Sequence, residues 1–210
     1  MMRVLLADDH PIVRAGVREL LAPDPAISEI GEAASGNETL LCLRLSHWDL
    51  LILDIDMPDR NGLDILLNVV TGYAQTKVLV LSGFPERQYA LRVLKAGASG
   101  YLEKECAPED LLTAVHSVMQ GRRYVGAALA QSLACSPGLD RAQPMHGCLS
   151  AREFQVFYKI ANGDSVKAIG NELCVSAKTV SSYRTRMMEK MHFLTNADVT
   201  SYALRNDLIQ

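Results

Sequence analysis

Cysteine is scarce and scattered in this sequence: Cys42, Cys106, Cys135, Cys148 and Cys174 include no C-x-x-C pair. That leaves no spacing for a disulfide framework or a zinc site. Cys148 stands near Met145 and His146, a grouping better read as ordinary linker than as a soft-metal site. No apolar run approaches the roughly 18 residues that span a bilayer. Charge also arrives early, at Arg3, Asp8 and Asp9, too soon for a signal peptide. Internal repeats and low-complexity tracts are missing as well. These absences lead us to expect a cytoplasmic protein without a membrane partner.

What is present is ordinary for a globular chain: 210 residues, 49% hydrophobic and 21% charged, enough for one large or two modest domains. The net charge of −3 conceals an asymmetry. Residues 1–125 carry 12 Lys and Arg against 17 Asp and Glu, whereas residues 126–210 carry 9 against 7. The two halves should therefore meet different partners.

Over the first 120 residues, short apolar runs alternate with helical patterns, as a parallel sheet wrapped by helices requires. The strands are expected at 3–7, 27–33, 50–54, 77–82 and 99–103, and the helices at 11–21, 38–45, 63–70, 86–96 and 108–120. Runs such as Leu50-Leu51-Ile52-Leu53 point to burial on both sheet faces. Pro11, Pro85 and Pro108 sit at or near helix starts, and Gly97 and Gly121 follow helix ends. Five β-α units of this length suit an α/β flavodoxin-like, doubly wound five-stranded parallel sheet. In that architecture the ligand crevice lies beyond the carboxyl ends of the strands, where this sequence puts Asp8, Asp9, Asp54, Ser82 and Lys104.

After Gly121 come a short helical stretch, 127–133, and an aperiodic linker, 134–148. A second, all-α unit of four short helices follows. Ser150-Ala151-Arg152-Glu153 is a capping-box pattern; Asp164 or Ser165, then Ser176, then Thr195 open the later helices.

The stretch "DIDMPDRNG", residues 54–62, puts three carboxylates close together and admits two readings. One is a D-x-D phosphatase with Asp54 as nucleophile and Asp56 as acid; the other is a phosphate-accepting site that uses Asp54 alone. Asp8, Asp9 and Asp54 converging on one crevice repel one another, and a hard divalent ion relieves that repulsion. Mg2+, with its preference for carboxylate, water and phosphate oxygens, suits them. A carboxylate there can attack phosphorus, with Lys104 and Ser82 meeting the charge on the phosphoryl oxygens. Any one of these residues alone would ordinarily be a solvated loop residue; it is their joint placement at strand ends that points to a site.

"LLADDHPIVRAG", "LLILDIDMPDRNGLD", "VLVLSG" and "LKAGASGYLEK" resemble the receiver domain of two-component response regulators over essentially the whole first domain. The resemblance implies that Asp54 takes a phosphoryl group from a kinase phosphohistidine. Asp8 and Asp9 would hold Mg2+, Asp9 directly, with the backbone carbonyl of Asp56 as a further ligand. Lys104 would contact the phosphoryl group, and Ser82 and Tyr101 would form the switch pair. Departures are Ser82 in place of the commoner Thr, Gly83 in place of Ala, Glu103 beside Lys104, and Trp48 where proline is frequent. We expect Glu103 to be exposed or paired elsewhere and Trp48 to plug the sheet before its strand. Asp59 should be an exposed turn residue. The Asp56 carboxylate should tune the lifetime of the phosphorylated state.

Residues 149–209 resemble the LuxR-type helix-turn-helix, through "LSAREFQVF", "IANGDSVKAIGNELCVSAKTVSSYRTRMMEKM" and "ADVTSYALRNDLI". On the helix 177–191, Val180, Met187 and Met191 form the inward stripe, with Tyr183 at its margin. Lys178, Thr179, Ser181, Ser182, Thr185 and Arg186 are the expected DNA-contact residues, and Arg184 a rim or phosphate contact. Gly170, where Ala is usual, should allow close helix approach.

The whole reads as a response regulator, NarL/FixJ-like: receiver 1–121, helical extension and linker 122–148, DNA-binding domain 149–210. Its expected partners are a sensor histidine kinase or phosphotransfer protein, double-stranded DNA, and a second copy of itself when active. The D-x-D phosphatase and a phosphorylation-independent regulator or protein-interaction adaptor are its rivals.

Overall fold

The alternating pattern folds into five parallel strands, β1 (Met2–Ala7), β2 (Ile27–Ala33), β3 (Leu50–Leu53), β4 (Lys77–Ser82) and β5 (Gly100–Glu103), in the order β2-β1-β3-β4-β5. Between and after them run α1 (Pro11–Leu21), α2 (Gly36–Leu45), α3 (Gly62–Gly72), α4 (Glu86–Lys95) and α5 (Pro108–Met119). This computed structural model describes residues 1–210 except 58, 61, 127, 128, 131–144, 174, 207 and 210. The chain divides into two compact units, Met1–Cys135 and Ser136–Gln210. Most of the expected stretch 127–133 and all of 134–144 lie outside the described residues. Met145–Cys148, expected as linker, forms a short 3-10 turn.

Strand parity divides the core of the first unit. Val4, Leu6, Leu50, Ile52, Leu79 and Leu81 join Val17, Leu21, Leu111, Val115 and Val118 in one apolar cluster. Leu5, Leu51, Leu53, Val78 and Val80, of opposite parity, are buried too, so the central strands are covered on both faces, as their unbroken apolar runs demand. Strand β2 departs from that expectation. It lies at the sheet edge, and Ser28 and Glu29 are exposed.

Trp48 is buried and closes the sheet ahead of β3 as expected, its indole N–H donating to the Cys42 carbonyl at 3.2 Å. The ring lies where a Cβ on Gly31 would stand, 2.4 Å away, so glycine there makes room for tryptophan. Helix α2 begins two residues earlier than its periodicity indicates. Ser35 accepts from the Glu38 N–H at 3.2 Å, and the Asp59 carboxylate accepts from Gly36 and Asn37 N–H, each at 2.8 Å. A distant loop thus supplies the cap that satisfies the first turn.

The second unit holds α6 (Ala151–Ala161), α7 (Val166–Glu172), α8 (Ala177–Met191) and α9 (Asn196–Arg205). Two capping boxes start its outer helices: Ser150 with Glu153, and Thr195 with Asp198. Ser165 and Ser176 cap the inner pair. Phe154, Phe157, Ile160, Ile169, Leu173, Val180, Met187, Met191 and Val199 are all buried and form its interior. A Cβ on Gly170 would lie 2.9 Å from the Val175 carbonyl oxygen, so glycine lets α7 close tightly on the turn into α8. No helix among the described residues is long and apolar enough to cross a membrane.

Candidate functional site

Sheet register builds the first site. Ala7 stands beside Leu53 in the β1-β3 ladder, and the next residue's N–H, on Asp54, donates to the Ala7 carbonyl at 2.8 Å. Across the sheet, the Lys104 N–H donates to the Ser82 carbonyl at 2.8 Å. Asp8 and Asp54 therefore leave their strands at one level, while Lys104 stands two positions further along, since Leu53 pairs with Val80 and Leu81 with Leu102. The Lys104 ammonium lies 2.8 Å from Asp54 Oδ2 and 2.8 Å from Asp8 Oδ2. The other Asp54 oxygen accepts from the Asp56 N–H at 3.0 Å.

Asp54 is 1% exposed. Burial raises its pKa to about 6, against the pull of Lys104, and the nearby Asp8 charge adds to the rise. Burial also works against the Lys104 charge, yet Asp54 and Asp8 together hold its pKa above the ordinary value. The pocket is a buried network of two acids sharing one cation.

Asp9 and His10 complete its rim. The His10 Nδ1 lies 2.8 Å from Asp9 Oδ1 and 3.2 Å from Asp8 Oδ1, and the His10 N–H donates to Asp8 Oδ1 at 2.8 Å. Asp8, Asp9, His10 and Asp54 each offer a ligand atom, all within 4.8 Å of one another. Asp8 Oδ2, 2.8 Å from the Lys104 ammonium, and Asp9 Oδ1, 2.8 Å from the His10 ring nitrogen, are buried carboxylate oxygens of this group. Oxygen-rich and electron-rich, this donor set fits a hard divalent cation. Sequence reasoning passed over His10; the signal available was its adjacency to the acidic pair in "ADDH".

Behind the pocket, Ser82 is fully buried and its hydroxyl oxygen accepts from the Phe84 N–H at 3.2 Å. Tyr101 is turned inward and fully buried, and its hydroxyl donates to the Phe84 carbonyl at 2.6 Å. Burial drives its phenol far above the usual range. Ser82 and Tyr101 thus grip one residue, Phe84, from its two backbone groups.

Glu103 is paired elsewhere, as expected of a strand neighbour facing away: it accepts from the Glu86 N–H at 2.6 Å. That contact caps α4, whose own N-cap residue, Pro85, offers no side-chain acceptor. The Glu86 carboxylate in turn accepts from the Gly126 N–H. The Tyr101 N–H donates to the Tyr124 carbonyl at 3.0 Å, and the Tyr124 N–H to Ser99 at 3.0 Å. Residues 124–126 therefore lie along the free edge of β5, tied to the element that holds Tyr101. These ties use backbone groups, which residue types do not reveal.

In the second unit, Lys178, Ser181, Ser182, Thr185 and Arg186 are exposed on α8, while Val180, Met187 and Met191 are buried behind them. Met188 is buried too, widening the inward stripe. Thr179 is half-buried, its hydroxyl 2.8 Å from Ser176 Oγ at the helix cap. The Ser181, Ser182 and Thr185 hydroxyls donate to carbonyls one turn back, which leaves their oxygens as outward acceptors. Arg184 donates twice to the Asn196 side-chain oxygen, at 2.9 and 2.7 Å.

Two family models divide the chain between them: "Response regulator receiver domain" matches residues 4–116, and "Bacterial regulatory proteins, luxR family" matches residues 148–203. The chain belongs to the LuxR-type response regulators. It is 35% identical to the response regulator UvrY of Escherichia coli over 209 residues, 99% of this chain and 96% of that one. It is 32% identical to the response regulator GacA of Pseudomonas protegens, covering 100% and 98% of the two chains. Among solved structures, the RcsB response regulator of Salmonella typhimurium superposes with a TM-score of 0.72 at 25% identity, over 99% of this chain and 98% of that one. RcsB bound to a promoter in the presence of phosphomimetic BeF3− gives 0.67 at 25% identity, covering 96% and 98%.

Response regulators of this type are DNA-binding transcription regulators of two-component systems and not enzymes, which removes the D-x-D phosphatase reading. Within this response regulator, the three carboxylates of residues 54–62 separate by position. Asp54 is buried beside Lys104, Asp56 is half-buried and presents its N–H to Asp54, and Asp59 is exposed and caps α2. Burial opposes the Asp59 charge, but the Asn37 and Gly36 N–H groups outweigh it and hold its pKa below the ordinary range. Gly62 closes the same loop. A Cβ there would stand 2.4 Å from the Ile55 Cα and 2.9 Å from the Asp54 carbonyl oxygen, so any side chain would push on the segment that carries Asp54.

Proposed function

We propose that Asp54 accepts a phosphoryl group from the phosphohistidine of a sensor histidine kinase or phosphotransfer protein, and that this changes dimerisation and DNA binding. The observation that carries the reading is the Lys104 ammonium, 2.8 Å from both Asp54 and Asp8 at the end of the sheet. An Asp54 carboxylate oxygen forms a bond to phosphorus while the P–N bond of the donor breaks, and the electron pair leaves with the imidazole, which takes up a proton. Lys104, already seated on Asp54, meets the charge of the transferred group. A Ser82 hydroxyl that leaves the Phe84 N–H can donate to a phosphoryl oxygen.

Asp8, Asp9, Asp54 and the backbone carbonyl of Asp56 are the groups that would hold Mg2+. When bound, the ion supplies positive charge against the phosphoryl oxygens and the clustered carboxylates. The Asp56 side chain, half-buried beside the acceptor, tunes how readily water reaches the acyl phosphate; equal dephosphorylation rates for Asp56→Asn and wild type would remove that role.

Rotation of Ser82 alters the hold on Phe84, and Phe84 leads directly into α4, where Glu86 is tied to Gly126. The signal thereby reaches the segment that precedes the DNA-binding unit in sequence. There, Lys178 and Arg186 supply charge for phosphates or guanine edges, with Thr179, Ser181, Ser182 and Thr185 offering hydroxyl contacts on the same helix. Arg184, held by Asn196, braces the rim. The modest positive charge of residues 126–210 leaves a single copy with weak affinity, so a homodimer on a two-fold site is the active form. The solution of RcsB as dimers on DNA supports this. We place the protein in the cytoplasm, where a kinase and double-stranded DNA are both accessible.

The test adds beryllofluoride with Mg2+ and measures sedimentation and genome-wide DNA capture, with Asp54→Asn as control. A shift in both, lost in the variant, is expected. No change in either overturns the switch and leaves the adaptor reading.

A further inference from the structure

We propose that His10 is a nitrogen ligand of the divalent ion in the acidic pocket, and that it biases the site toward first-row transition ions relative to Mg2+. The inference rests on the reading that these carboxylates hold a cation, and adds a donor of a different chemical class to that site.

Spacing carries the argument. With metal–ligand bonds of roughly 2.1 Å, neighbouring ligands of an octahedral ion lie about 3 Å apart. The His10 Nδ1 is 2.8 Å from Asp9 Oδ1 and 3.2 Å from Asp8 Oδ1, so the nitrogen already stands at the edge length of a coordination shell from each of two carboxylate oxygens. The backbone helps: the His10 N–H donates to Asp8 Oδ1 at 2.8 Å, which fixes where the side chain begins. The imidazole is 61% exposed, so the ring has room to turn its nitrogen onto an entering ion.

Chemistry then sets the preference. Mg2+ favours oxygen ligands and retains its waters, whereas imidazole suits iron, nickel, copper and zinc, with affinity rising from manganese through cobalt and nickel toward copper. A pocket of carboxylates alone discriminates weakly on this basis; one with an imidazole nitrogen gains for transition ions and gains little for Mg2+. If His10 were only a hydrogen-bond donor to Asp8 and Asp9, its removal would change all ions in parallel.

The experiment titrates the full chain calorimetrically with Mg2+, Mn2+ and Co2+, in wild type and His10→Ala. Displacement of Co2+ by excess Mg2+ identifies the shared site. The variant is expected to lose about tenfold or more in Co2+ affinity while its Mg2+ affinity stays within about threefold. Mn2+ spin-echo spectra of the wild type should show coupling to a nitrogen that disappears in the variant. Parallel losses for all three ions, or no nitrogen coupling in the wild type, overturn the proposal. A variant that no longer binds Mg2+ hands the decision to the wild-type spectrum alone. A wild type that binds none of the ions removes the cation reading itself, an outcome distinct from a carboxylate-only site.

Discussion

Asp54 carries a buried charge whose cost can be measured. Its pKa rises from 3.8 to about 6, and a shift of that size corresponds to about 3 kcal/mol of stability withheld from the ionised protein. Because the folded-state value lies above the unfolded one, the native state holds the proton more tightly. Stability therefore falls as pH rises through the window from 3.8 to about 6, and the full penalty is present above it. Between pH 4.5 and 7.5 this one group should remove about 2 kcal/mol. Asp54→Asn keeps the shape without the charge, so its stability advantage over wild type should widen by that amount across the same interval.

The assay is urea unfolding in the presence of a chelator, followed by the fluorescence of Trp48. This is the single tryptophan in the sequence, and it is buried in the first unit, so it reports the unit that contains Asp54. Addition of Mg2+ should flatten the pH dependence of the wild type by favouring the carboxylate. The reasoning fails if wild type and Asp54→Asn keep a constant stability difference from pH 4.5 to 7.5 without metal.

Lys104→Ala leaves two buried carboxylates without their shared cation, and should destabilise the first unit by about 3 kcal/mol at pH 7.5 and by less at pH 5; the Trp48 unfolding curve measures both, and phosphoryl acceptance should be lost alongside. Gly62→Ala drives a methyl group against Ile55 and the Asp54 carbonyl, so a cost of about 1 to 3 kcal/mol and slower labelling of Asp54 by a small phosphodonor are expected. Lys178→Ala and Arg186→Ala should each weaken promoter binding and lower the salt slope by about 1, read by fluorescence anisotropy over a salt series. Glu86→Ala removes the acceptor of the Gly126 N–H; phosphorylation of Asp54 should persist while its effect on DNA affinity shrinks, which comparing the two readouts in one preparation reveals.

Much of this protein was legible in residue order because its signals are local. Apolar runs, prolines at helix starts and serine caps act within a few residues, so the five strands, the principal helices and the inward stripe of α8 followed from pattern. Asp8, Asp9, Asp54 and Lys104 could also be assigned to one crevice, since a parallel sheet brings its strand ends together whatever lies between them, while Ser82 lies buried behind it. Tertiary structure alone decided the pairings. Asp59 as a cap for α2, Glu103 as a cap for α4, the Glu86 tie to Gly126 and the Phe84 carbonyl held by Tyr101 join groups distant in sequence through main-chain N–H and carbonyl atoms. Every residue but proline carries that same pair of groups, and only the folded geometry selects which of them meet.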